Sequence, residues 1–257
     1  MGIFANPLTD LLEYEDFSRD FLKGTDPVGM TGCIDSEKVH FMSTFLGEKK
    51  VQLVVTYNEQ RAREIEEDYK LFCSQVYVIP PRDLIFFSAD LQGNAIIAER
   101  MKAFAALYQN EAKVIITTMD ALMSAAVPFE QLMSHVIKLK EGDELDLEKL
   151  KHDLTVMGYE RVGRVEEPGQ FTVHGGIADV YPLTMEVPVR IELWGDEIDT
   201  IRCFEPQSQR SMDQIECVSV FPAAEVIADD TARRRAVGMI QNELESQLAV
   251  FKKAKEP

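Results

Sequence analysis

The sequence predicts an α/β fold in which a parallel-sheet domain is followed by an antiparallel α+β domain and a terminal amphipathic helix. Three observations predict it. From about residue 27 to 124, short apolar runs alternate with stretches of helical periodicity, the pattern of strands and crossover helices in a parallel sheet. Near Val127-Pro128 this gives way to short alternating strands punctuated by turn residues. From Asp229 onward apolar residues recur every three or four positions.

In the first part, Val51 to Tyr57 reads as a buried strand, and Asn58 can cap the helix that follows. Ala62, Ile65, Tyr69 and Phe72 share one face of that helix. Val76 to Ile79 is the next strand, stopped by Pro80-Pro81. Ile97, Met101, Phe104 and Tyr108 mark a second amphipathic helix, and Val114 to Thr118 a third buried strand. In the second part, Leu147, Leu150, Leu154 and Met157 form one helical face. Pro168-Gly169, Gly175-Gly176 and Gly195-Asp196 then mark turns, the last of them joining Val187 to Trp194 and Glu197 to Phe204 as a hairpin. At the end, Val237, Ile240, Leu244, Leu248 and Phe251 make an apolar stripe that needs a partner surface, followed by Lys252-Lys253-Ala254-Lys255 as a solvated, frayed end.

With 257 residues, 46% of them hydrophobic, the chain can bury one sizeable core or two smaller ones, in one to three compact units. Cys33, Cys73, Cys203 and Cys217 form no CxxC pair, which argues against a zinc site and a disulfide framework and for buried thiols in a reducing compartment. His40, His135, His152 and His174 have no metal-ligand spacing, so neither a metal nor a cofactor is expected. No apolar run approaches the roughly 20 residues needed to cross a bilayer, and the N-terminus has acidic residues but no basic segment. A cytoplasmic location and no membrane partner follow. The formal charge of -17 argues against direct binding to duplex DNA, whose affinity comes from Lys and Arg displacing counterions. It serves solubility or a partner with a basic surface.

Val28 to Ser36 lies where the first strand of the βαβ domain should hand over to its first helix, the place for a phosphate loop. Against G-x-x-x-x-G-K-[ST], Gly29 supplies the first glycine and Ser36 the hydroxyl, but Ile34 replaces the second glycine and Asp35 the lysine. The β-branched Ile34 resists the tight backbone curl that glycine allows. Asp35 repels phosphate where lysine attracts it, and one unit-charge contact near 4 Å is worth about 4 kcal/mol at an effective dielectric of 20. Lys38 is three residues too late. Gly29, Gly32, Ile34, Asp35 and Ser36 therefore form a degenerate, P-loop NTPase-like loop in which Asp35 or Ser36 caps the next helix. No catalytic residue is assigned. Gly195-Asp196-Glu197 reads as a hairpin tip, and the acidic run Glu64 to Asp68 as a solvated helix face.

Thr31 to Lys38, Val54 to Glu59, Pro80 to Leu84 and, above all, Gly158-Tyr159-Glu160-Arg161 with Pro168 to Pro182 carry a resemblance through most of the chain. Arg190-Ile191-Glu192, Asp196 to Asp199 and Ser208 to Ser211 continue it. With these residues the chain resembles the N-terminal, UvrB-homology region of bacterial transcription-repair coupling factors, the Mfd family. The resemblance implies residues 1–126 as a helicase-like domain similar to UvrB domain 1a, without nucleotide binding. It implies residues 127–221 as an inserted UvrA-binding domain similar to UvrB domain 2, and residues 222–257 as a helical return segment similar to domain 1b, cut short. The loop between Pro81 and Ala95 leaves little room for the hairpin with which UvrB clamps DNA.

The implied function is a non-catalytic docking module that recruits UvrA to stalled RNA polymerase in transcription-coupled nucleotide excision repair. RNA polymerase and DNA would be reached only through downstream polymerase-binding and ATP-dependent translocase domains, so this chain resembles a fragment. Carried over residue by residue, the UvrA-facing surface includes Arg161, then Thr172 and His174 where relatives often have arginine, with Phe171, Arg164 and Arg190 as neighbours. Two competing readings are an ATP-dependent enzyme acting on DNA, with Gly29 and Ser36 as parts of a working site, and a UvrB-like damage-binding protein.

Overall fold

A computed structural model of the chain describes residues 8, 10, 14–24, 27–46, 51–82, 91–124, 126–227 and 230–254. They form a mixed α/β protein with parallel and antiparallel sheets, in two compact units covering residues 1–126 and 127–257. Residues 83–90, most of the short loop after Pro81, lie outside the described residues. No helix among the described residues is long and apolar enough to cross a membrane.

The first unit runs through helices α1 (Tyr14–Lys23) and α2 (Asp35–Ser43), strand β1 (Gln52–Thr56), helix α3 (Glu59–Lys70), strand β2 (Val76–Ile79), helix α4 (Leu91–Tyr108), strand β3 (Val114–Thr118) and the short helix α5 (Met119–Met123). The three strands are parallel in the order β1-β3-β2, and β3, in the middle, is buried at every residue. Asn58 caps α3 as expected, its side chain accepting from the Arg61 N–H at 2.8 Å. Ala62, Ile65 and Tyr69 of α3 then pack with Val39, Val76, Val78, Val114 and Ile116. Across the sheet, Ala103 and Ala106 of α4 meet Ile115, small side chains that bring helix and sheet close. Of the stripe expected on α4, Met101 is fully buried but Phe104 and Tyr108 are only partly covered. An aromatic cluster not read from the sequence joins α1 to α2, with the Phe17 and Phe41 rings 4.8 Å apart.

Two expectations fail here. The strand Val51 to Tyr57 is not buried: β1 is an edge strand with alternating burial and Leu53 60% exposed. Nor, among the described residues, does a strand lead into the phosphate-loop segment, since residues 27–34 are irregular up to the start of α2.

The second unit contains helix α6 (Phe129–Met133), strand β4 (Ile137–Lys140), helix α7 (Leu147–Val156), strands β5 (Glu160–Arg161), β6 (Gln170–His174), β7 (Ile177–Val180), β8 (Val189–Trp194), β9 (Glu197–Phe204), β10 (Ser211–Gln214) and β11 (Cys217–Val220), and helix α8 (Asp230–Ala254). β10-β9-β8-β7-β6-β5 form a six-stranded sheet, antiparallel except for β5-β6, and β11-β4 a separate pair. The β8-β9 hairpin turns at Gly195, whose φ of 68° suits glycine. Leu150 and Leu154 of α7, with Met157 just after it, share one core with Phe171, Val180, Val189 and Ile191 of the sheet. Gly158 has a φ of +91°, and a Cβ there would lie 2.6 Å from Ala224 Cβ. Only glycine lets the chain at 223–224 come so close, where both amides donate to the Met157 carbonyl. Next to it, buried Tyr159 donates its hydroxyl to the Phe221 carbonyl at 2.7 Å.

Along α8, Val237, Ile240, Leu244, Leu248 and Phe251 are exposed, as the unpartnered stripe required. Lys252 to Ala254 are helical rather than frayed, and Lys255 lies outside the described residues. The expectation of four buried thiols fails, because only Cys203 is buried, Cys33 and Cys73 are half-buried, and Cys217 is exposed at the start of β11.

Candidate functional site

Around the degenerate loop, α2 begins directly at Asp35. Neither Asp35 nor Ser36 caps it: the extended residue before it is Ile34, whose N–H donates to Glu37 Oε2 at 3.0 Å. Gly32 adopts a φ of +85° in the turn, and Gly29 has open space around it. Asp35 at the lysine position lies 3.2 Å from Lys38 Nζ and 3.4 Å from an Arg61 guanidinium nitrogen. Arg61 also pairs with Glu64 at 2.8 Å, and that hydrogen bond, ahead of the Asp35 charge, raises its pKa. Asp35, Lys38, Val55, Tyr57, Arg61 and Tyr69 are among the residues that line a groove of about 460 Å³. Both of its cations face carboxylates of the chain itself.

In the second unit, Arg161 stands on the short edge strand β5 and is exposed. Among the described residues its guanidinium has no hydrogen bond or ion pair. His174, at the end of β6, is likewise exposed and unpaired. β5 pairs with β6, so the two residues occupy neighbouring strands of one sheet.

Four other expected contact residues sit differently. Phe171 is fully buried among core residues, and Thr172 is buried opposite Asp179. β6 is covered on both faces there, so both are corrected from surface contacts to residues of the fold. Arg190 grips Asp179 with two hydrogen bonds, Nε to Oδ1 at 2.8 Å and a terminal nitrogen to Oδ2 at 2.7 Å. Its guanidinium also lies 4.7 Å over the Phe204 ring. The Asp179 hydrogen bond is the main cause that raises its pKa. Arg164 pairs with Glu166 at 3.2 Å and donates to the carbonyls of Pro206 and Gln207. Gln209, in the left-handed region at φ 60°, donates to the carbonyls of Val165 and Pro206 and accepts from Arg190. Arg164 and Arg190 therefore hold the 205–210 loop to the sheet.

Three residues of this sheet escaped sequence reasoning. Asp179 is the carboxylate that claims Arg190, and their opposition across β7 and β8 is a matter of register. Trp194 is 84% exposed at the end of β8, and its signal was a lone tryptophan beside the Gly195 turn. Arg202, opposite Arg190 on β9, has a buried Nε without a hydrogen-bond partner.

Residues 137–225, which include all of these positions, match the UvrB interaction domain family. The chain is 33% identical over 231 residues to the transcription-repair-coupling factor of Staphylococcus haemolyticus, covering 88% of this chain and 19% of that relative. It is 30% identical over 257 residues to the one from Bacillus subtilis (strain 168), covering 98% of this chain and 22% of that relative. For Staphylococcus aureus (strain Mu50) the figures are 31% over 241 residues, 91% and 20%. The chain thus spans about a fifth of the length of the curated relatives it matches.

Proposed function

We propose that this chain, which carries a UvrB interaction domain and is homologous over most of its length to transcription-repair-coupling factors, is a non-catalytic docking module that recruits UvrA in transcription-coupled nucleotide excision repair. The observation that carries the reading is Arg161, an exposed cation without a partner among the described residues, on an edge strand inside the family-matched segment. A guanidinium offers a carboxylate two parallel hydrogen bonds, and those of Arg190 are already engaged. His174 is a second exposed, unpaired side chain of the same sheet among the described residues, on the adjacent strand.

The first unit serves as a scaffold related to P-loop NTPase domains that has lost nucleotide binding. Asp35, paired with Lys38 and Arg61, supports this, as does the irregular segment where a phosphate loop would leave a strand. We place the working boundaries at residues 1–126 for the scaffold, 127–221 for the UvrA-binding domain and 222–257 for a return segment. Work on DNA and contact with RNA polymerase belong, in this reading, to an ATP-dependent translocase of which this chain is the docking part, in the cytoplasm. The test is co-elution with UvrA in gel filtration at micromolar concentration. A joint peak is expected, and separate elution would overturn the assignment. Calorimetry with magnesium-ATP should give no heat of binding, whereas micromolar affinity would restore the enzymatic reading.

A further inference from the structure

Between β4, the first half of α7 and the tip of the β8-β9 hairpin, the second unit holds a groove of about 770 Å³ that does not include Arg161. Its floor is apolar: Ile137, Leu145, Leu147 and Leu193 pack on the core and are only half-buried. Backbone hydrogen bonds set its walls. The Leu145 N–H donates to the Asp196 carbonyl at 2.8 Å and the Ile198 N–H to the Asp143 carbonyl at 2.9 Å, which ties residues 143–145 to the hairpin. Asp146 accepts from the Glu148 and Lys149 N–H groups at 2.9 and 3.2 Å and so fixes the start of α7.

Five carboxylates and two lysines line this groove, so negative charge is in excess. Asp146 is engaged as the helix cap and Glu148 pairs with Lys151. The side chains of Glu144, Asp153 and Asp196 have no hydrogen bond or ion pair among the described residues. Glu144 and Asp196 stand at the hairpin end, and Asp153 follows Leu147 by six residues, about 9 Å along the axis of α7. Covering the leucines removes apolar surface from water, and the open carboxylates select what covers them. Nucleic acid is repelled, as is an acidic segment. We propose that this groove docks a basic, amphipathic segment of a partner protein. Its apolar side chains lie on Leu145, Leu147 and Leu193, and its lysines or arginines meet Glu144, Asp153 and Asp196. The groove is thus a second docking surface, of opposite charge to Arg161.

The probe is a fluorescent peptide of alternating leucine and lysine, titrated by anisotropy against the full chain, with a serine-lysine peptide of the same charge as reference. The leucine-lysine peptide should bind about tenfold tighter or more, because only it covers the floor. Two triple variants, shown by thermal melts to be folded, then separate the groove from net charge. Glu144→Gln with Asp153→Asn and Asp196→Asn should weaken the leucine-lysine peptide about tenfold or more. Glu67→Gln with Asp68→Asn and Glu245→Gln removes the same charge outside the groove and should change affinity by no more than about twofold. Equal weakening by the two triple variants reduces the attraction to net charge and overturns the groove, as does equal affinity for the two peptides or absence of binding. Each of these results leaves the Arg161 surface untouched, since co-elution with UvrA decides that separately.

Discussion

Asp35 in the first unit sits within 3.4 Å of both Lys38 and Arg61, whereas Arg161 in the second unit meets no carboxylate among the described residues. Within the second unit the contrast recurs between Arg190, bound by Asp179 and stacked on Phe204, and Arg161. A charge that closes on its own chain shapes the fold, and a charge left open is available to another molecule. Sequence motifs alone do not separate the two, because Asp35, Arg161 and Arg190 all sit in segments that resemble the family.

The comparison is broken hardest at the positions that hold the fold. Gly158→Ala adds a Cβ 2.6 Å from Ala224 at a left-handed φ, and should destabilise the second unit by about 3 kcal/mol or more in denaturant unfolding. Arg190→Ala leaves the Asp179 carboxylate buried without its partner, for an expected loss of about 3 kcal/mol. If Arg190→Ala melted like wild type, Arg190 would not be the lock described here. A smaller effect concerns pH. Burial raises the Tyr159 pKa above its ordinary 10.0, so the folded state keeps that proton longer than the unfolded state. Its contribution is complete below pH 10.0 and falls above it by about 1.4 kcal/mol per pH unit. Tyr159→Phe should make alkaline unfolding less steep.

Smaller still, Asp35→Lys should cost under about 1 kcal/mol, because the pairs it breaks are exposed on the Asp35 side. It should not restore ATP binding, since Ile34 and the irregular approach to α2 remain. Arg161→Ala should change unfolding by no more than about 0.5 kcal/mol, a surface value. A larger loss would mean that Arg161 belongs with Arg190 among the structural residues.

Much of this was legible in residue order. Asn58 as a cap, Val114 to Thr118 as a buried strand and Gly195 as a hairpin turn depend on local chemistry, and the structure has them. Val51 to Tyr57 has the same apolar composition as a central strand, but strand order puts it at an edge, and order is not a local property. Phe171 and Thr172 were misplaced for a similar reason, because alternation shows which residues share a face but not whether both faces are covered. The need for glycine at 158 depends on Ala224, far along the chain, so the motif was visible and its cause was not.

The affinity of UvrA for the Arg161→Glu chain, compared by calorimetry with wild type on samples with matching melting curves, tests the central claim most directly. Charge reversal at an unpaired cation that meets a partner carboxylate predicts a loss of about a hundredfold or more, with stability unchanged. Equal affinity in the two proteins would contradict it.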